Sequence, residues 1–392
     1  MARRLRLVAT MAIVGLVGSL LVAPLEAGAA PADYTIKLGS SKLFQLAAPA
    51  PALGTRFYSP ALKVHKGDTI KFKGPAALAP ANVRIKKWIG NNTRGVGNKW
   101  SIAVRDKDER KQHFKFNNRV IFNAQRGCGY GAKPCGYDGS HVVGNGFFFG
   151  RRKFVVKINA DVGDVFWALN LVQPRARLRI EVVAKGATAT KQSAIDRYKK
   201  RQLKRDAAGA RAAHNRLLNY HRVTRDSSGT LVRHALAGYD GKGFALFSMY
   251  PRKANIRRGQ KVRWHFSSLR YEDHTVSLPG GKAAAVSQKG TNPPPLCDTG
   301  KGPDKPPQIQ GPPFCNNPGD LEFDIPPKFA FKRGDGRYVR GDFSSSGLEG
   351  ANINVGAAPF TLKFTRTKPS GFNYLCLIHS FMKAKVSVRP KA

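Results

Sequence analysis

The sequence predicts an all-β protein of two sandwiches joined by a basic helix. Three observations carry this expectation: short runs that alternate apolar and polar residues between Gly and Pro turns, one plan repeated in two halves, and a Pro-free stretch of helical periodicity between them. A length of 392 residues suits two domains of ordinary size plus connectors, and 42% hydrophobic with 10% aromatic residues can furnish two cores. With 40 Gly and 25 Pro, turns are plentiful and wholesale disorder is excluded.

The strand pattern is clearest at two places. Residues 57–72 alternate around Lys66-Gly67-Asp68, as two strands joined by a tight turn would, and residues 249–264 repeat this around Arg258-Gly259-Gln260. The ends of the halves also match, since 166–180 aligns without gaps on 374–388. Between the halves, residues 185–225 carry twelve Lys or Arg against two Asp. From 193 to 220 Pro is absent, and Ile195, Tyr198, Leu203, Ala207, Ala210, Leu217 and Leu218 recur at roughly helical spacing. This predicts an amphipathic linker helix with its apolar stripe on one or both domains. Its basic face is expected to be solvated, with polyanion binding as the alternative. Long loops are expected at 91–146 and 280–342.

The N-terminus points outside the cytoplasm. Arg3, Arg4 and Arg6 precede an apolar run at 11–22, and Ala27-Gly28-Ala29 supplies small residues for cleavage, so 1–29 reads as a secretory signal peptide. A retained membrane anchor is the alternative, although Pro24 and Glu26 break the run and no later stretch is long enough to span a bilayer. The predicted boundaries are then 30–184 for the first domain, 185–225 for the linker and 226–392 for the second domain. A net charge of +43, from 67 Lys and Arg against 24 Asp and Glu, implies an acidic partner or polyanionic surroundings.

Five cysteines are an odd number for an oxidising compartment. Cys128 with Cys135, and Cys297 with Cys315, look like loop staples. The remaining thiol, Cys376, sits in Tyr374-Leu-Cys-Leu-Ile-His-Ser-Phe-Met382. A thiolate, an imidazole and a thioether at three-residue steps can converge on one soft metal ion from a tight loop. Copper is the natural candidate, and a trigonal copper site needs a second imidazole, best supplied by His274 after the strand that holds Trp264. Zinc would use the same Cys and His but takes stronger donors than a thioether. The predicted metal set is His274, Cys376, His379 and Met382, holding one ion that cycles between Cu(I) and Cu(II).

These residues resemble the ligand loop of the cupredoxins, the blue copper proteins of the plastocyanin and azurin type, and the short Cys-x-x-His-x-x-Met spacing looks most like amicyanin. The resemblance covers about 238–390, and weakly 33–184 through the repeat. It implies two cupredoxin-like Greek-key sandwiches, equatorial roles for His274, Cys376 and His379, an axial role for Met382, and a fastening role for Thr275 in the ligand loop. The first half aligns Asn82, Ala168, Leu171 and Pro174 on these ligands, none of which can replace them. It is expected to be a sandwich without metal.

The function expected is an exported one-electron carrier with a type 1 copper site, and the alternative is a non-redox copper-binding, storage or sensing protein of the cell envelope. Leu377, Ile378 and Phe381 are the expected docking patch, with Lys383 and Lys385 steering an acidic redox partner; the other expected partner is an anionic envelope polymer. No nucleic acid is expected as partner. Two joined cupredoxin domains also resemble multicopper oxidases and nitrite reductases, but the sequence has no His-x-His, so no enzymatic activity is expected. His65, His113, His141, His214, His221, His234 and His265 show no paired spacing and read as surface or structural.

Overall fold

Alternation becomes burial strand by strand. In Lys261–Phe266 the residues Val262, Trp264 and Phe266 point inward while Lys261, Arg263 and His265 lie between core and solvent. The same rhythm runs through Lys253–Arg257 and Phe360–Phe364. Phe244–Tyr250 differs, being buried at every position because it lies between the two halves. The computed structural model describes residues 30–391 apart from 75–83, 88–100, 105–112, 117–127, 130–132, 141–142, 145–152, 171–172, 267–273, 291–321, 324–331, 335, 340 and 348–357. Strands predominate among the described residues.

Each half packs two sheets about its own core. In the first, Ile36, Phe72 and Phe154 of one sheet meet Phe166, Leu178 and Ile180 of the other. In the second, Trp264, Phe360 and Leu362 face Phe372, Tyr374 and Val386. The halves also share a sheet: Phe244–Tyr250 pairs antiparallel with Ala52–Phe57, Phe244 opposite Gly54 and Leu246 opposite Ala52, so one eleven-stranded sheet runs through both. Residues 31–392 form one compact unit.

The Pro-free segment is a helix, Gln192–Leu218. Ile195, Leu203, Ala207, Ala210 and Leu217 are buried as their spacing predicts, whereas Leu218 faces solvent. The stripe packs into a third core with Leu43 and Tyr58 of the first half and Phe244, Leu246 and Tyr250 of the second. Two buried polar residues share that stripe. Asp206 accepts both Nε and Nη2 of Arg56, at 3.0 and 2.9 Å, and the Tyr58 hydroxyl at 3.3 Å; His214 Nδ1 hydrogen bonds with the Tyr250 hydroxyl at 2.7 Å.

The disulfide expected between Cys128 and Cys135 is present, and Cys376 is a buried free thiol. Cys297, Cys315, His141 and the N-terminal signal lie outside the described residues. The segment expected as a loop from 280 begins instead with the helix Gly280–Gly290, in which the run Lys282-Ala-Ala-Ala-Val has high helix propensity. The expected loop at 91–146 likewise includes the strands Ser101–Val104, His113–Phe116, Cys135–Tyr137 and Val143–Gly144. No helix among the described residues is long and apolar enough to cross a membrane.

Candidate metal centre

Two strands deliver the donors. Lys368–Leu375 ends one residue before Cys376, and the chain returns as Lys383–Arg389 directly after Met382. The intervening turn is closed by backbone bonds, Cys376 N–H to Met382 O at 3.1 Å and Met382 N–H to His379 O at 2.7 Å. Cys376 is thereby set at the start of one short turn, His379 at its middle and Met382 at its end. His274 arrives from the segment between Lys261–Phe266 and the strand Ser277–Leu278, which pairs with the ligand hairpin at Leu375.

His274, Cys376 and His379 converge. Their donor atoms lie within 4.8 Å of one another, and all three residues are buried. Cys376 Sγ is 3.7 Å from His379 Nδ1 and 4.0 Å from His274 Nδ1. Metal–nitrogen and metal–sulfur bonds of about 2.0 and 2.3 Å, opened to about 120°, separate two donors by ~3.7 Å. The triangle therefore fits a trigonal ion bound by both Nδ1 atoms and the sulfur. Met382 is buried in the same core cluster as Cys376.

Burial acts to raise the Cys376 thiol pKa, but hydrogen bonding and charge from His274 and His379 outweigh it and hold the thiol well below its ordinary range. The site thus favours the thiolate, the form that binds metal. Thr275 fastens the loop: its N–H donates to Cys376 Sγ at 3.3 Å, and its Oγ1 accepts Leu377 N–H at 2.6 Å. Ser287 Oγ, from the helix Gly280–Gly290, donates to Leu377 O at 2.6 Å and pins the turn from its other side.

Several functional neighbours escaped the sequence reading. Phe247, at the middle of the strand shared between the halves, sets its edge against His379 at 4.9 Å and His274 at 6.0 Å between ring centroids. Phe44 of the first half packs at 6.3 Å on Phe381, the aromatic already expected in the docking patch, which stands 5.9 Å from His379. Gly238, with φ of +76° at a register shift in Leu231–Gly241, leaves room for the His274 ring. The only sequence signal for any of these is a glycine inside a strand pattern.

The expected docking patch needs correction. Leu377 is fully buried because its peptide is held from both sides, so it faces no partner. Ile378 is half-buried, and Phe381 remains exposed at 51%. Two of the histidines read as surface or structural are paired: His234 Nδ1 and His265 Nε2 are 2.7 Å apart with their ring planes within 8° of each other, because the strands that carry them are parallel neighbours. In the first half Ala168 is buried in the core, Pro174 lies in the strand Gln173–Val182, and Asn82 and Leu171 lie outside the described residues.

No family model and no curated protein matches the sequence. Among solved structures the chain is similar to a blue copper oxidase from Nitrosomonas europaea, with 10% identity over 64% of each chain and a TM-score of 0.18. It is also similar to a multicopper oxidase, with 9% identity over 91% of this chain and 88% of the other and a TM-score of 0.20. A third is a copper-containing nitrite reductase from Thermus scotoductus, with 11% identity over 93% and 69% and a TM-score of 0.21. The chain spans 64% of the length of the first of these. All three are described as copper enzymes, which overturns the expectation that this chain is not an enzyme. Their activities remain theirs. The sandwich with its His–Cys–His cluster supports a cupredoxin-type fold without singling out the amicyanin, azurin or plastocyanin kind.

Proposed function

We propose that this is an exported protein with one mononuclear copper site of type 1, held by His274, Cys376 and His379 with Met382 as the weak axial donor, which passes single electrons. The observation that carries this reading is the buried triangle of one thiolate and two Nδ1 atoms, 3.7 and 4.0 Å from sulfur to nitrogen. Bound there, copper supplies a one-electron couple between Cu(I) and Cu(II).

The chain's own residues prepare that couple. The Thr275 N–H stabilises negative charge on sulfur, and the closed turn together with the Thr275 and Ser287 anchors resists movement of Cys376 and His379. Phe247 and the surrounding core exclude water from the imidazoles. Phe381, 5.9 Å from His379 between ring centroids, is exposed, and Phe44 packs against it. This aromatic edge, near Lys383 and within a basic field, suits an acidic redox partner, while the wider excess of Lys and Arg suits attachment to anionic envelope polymers.

The test is the visible and paramagnetic resonance spectrum of the mature protein with one equivalent of Cu(II), beside Cys376→Ser. An intense blue thiolate-to-copper band that disappears in the variant is expected. A colourless protein that binds no copper overturns the ligand assignment.

A further inference from the structure

The hairpin that carries Cys376 and Met382 also has an outer face. Asn373 stands opposite Lys385 and Leu375 opposite Lys383, so alternation gathers all four on one side. The helix Gly280–Gly290 closes over part of that side. Between its first turn and the hairpin is a cleft of about 490 Å³ lined by Arg252, Lys383, Lys385 and Asn373, with Gly280 and Gly281 as its small-residue wall.

Two close approaches shape this cleft. A Cβ at Gly280 would stand 3.1 Å from Asn373 Cβ, tighter than ordinary van der Waals contact, so the missing side chain at 280 eases the close approach of the helix. On the other side the Lys385 stem lies across Gly371, whose added Cβ would meet Lys385 Cδ at 3.1 Å. Arg252 is held beside Lys385 by the bond from Lys385 N–H to Arg252 O at 3.0 Å. Three cations from two segments therefore line one concavity, and among the described residues no carboxylate lines it. Gathered like charges repel, and an anion between them turns that repulsion into attraction. Arg offers a planar fork and each Lys a mobile point charge, the combination suited to several oxygens at once.

We propose that this cleft binds a small multivalent oxyanion, a molecule with two or more phosphate-type groups. Its volume lies within the range of small-molecule sites, and three of its ten lining residues are cations.

The experiment uses the full mature chain without copper and inorganic tripolyphosphate, titrated by calorimetry at fixed ionic strength. Three proteins are compared: the unaltered chain, the triple variant Arg252→Gln with Lys383→Gln and Lys385→Gln, and a control with Lys200→Gln, Lys204→Gln and Arg205→Gln on the solvent face of the long helix. One tripolyphosphate per chain is expected, weakened tenfold or more by the cleft variant and less than twofold by the control. Equal weakening in both triples, or the absence of a saturable site, overturns the proposal. If the cleft triple does not fold, Lys383→Gln alone, at an exposed position, is expected to weaken binding about threefold, and an unchanged affinity overturns the proposal equally.

Discussion

Gly238 and His274 occupy one another's space. A methyl group at position 238 would collide with Nε2 and Cδ2 of the His274 ring, the edge opposite the Nδ1 that faces Cys376. The glycine also holds φ of +76°, which costs an L residue about 1–2 kcal/mol. Gly238→Ala is therefore expected to turn the imidazole out of the donor triangle. Copper affinity should fall at least tenfold and the blue band should weaken, with far-ultraviolet dichroism unchanged. An unaltered spectrum would show that the ring finds its place without this space.

Thr275 serves the turn through two separate atoms, so they can be tested apart. Thr275→Val keeps the N–H bond to Cys376 Sγ but leaves the buried Leu377 N–H without its acceptor. That loss should lower stability by about 1–3 kcal/mol, seen as a lower denaturant midpoint, and should speed copper release to a chelator. Thr275→Ser restores the acceptor and should recover most of both. Failure of the serine variant to recover either would mean that the methyl group, not the hydroxyl, matters.

Asp206 ties the long helix to the first half. It is 3% exposed, and burial raises its carboxyl pKa against the lowering influence of Arg56. Asp206→Ala strands the Arg56 guanidinium against the helix and removes the acceptor for Tyr58. A loss of about 3 kcal/mol is expected in chemical denaturation. A change below about 1 kcal/mol would show that Arg56 simply turns to water.

The His234–His265 pair makes stability depend on pH. Burial, then the neighbouring His265, Arg222 and Arg263, push His234 down to about 4, and burial with the two arginines lowers His265 as well. Below pH 6.5 the unfolded chain takes up protons that folded His234 refuses until about pH 4, so this pair's contribution is lost as pH falls through that window. Tm should drop more steeply from pH 7 to pH 4.5 in the natural chain than in His234→Gln. Parallel slopes in the two proteins would remove the pair from the account.

Much of the proposed donor set was legible because it is local. Cys376, His379 and Met382 lie within seven residues, and the turn that joins two strands fixes them with little help from elsewhere. His274 was legible from its place after the strand that holds Trp264. The helix Gln192–Leu218 could also be read from its stripe, since helical periodicity is a property of a single segment. By contrast Phe247, Phe44 and Gly238 reach the site through strand pairing and packing between distant segments, and no spacing in the chain encodes those meetings.

Local patterning along the chain accounts for the strand rhythm, the basic amphipathic helix and the proposed set of a thiolate, two imidazoles and a thioether at spacings that suit one soft metal ion. That one sheet passes through both halves, that Leu377 is sealed in while Phe381 is exposed, and that His234 lies against His265 follow from long-range packing. The reason is physical: periodicity and turn chemistry act over a few residues, whereas burial and pairing depend on which distant surface arrives to cover a face, and that follows from the packing of the whole chain.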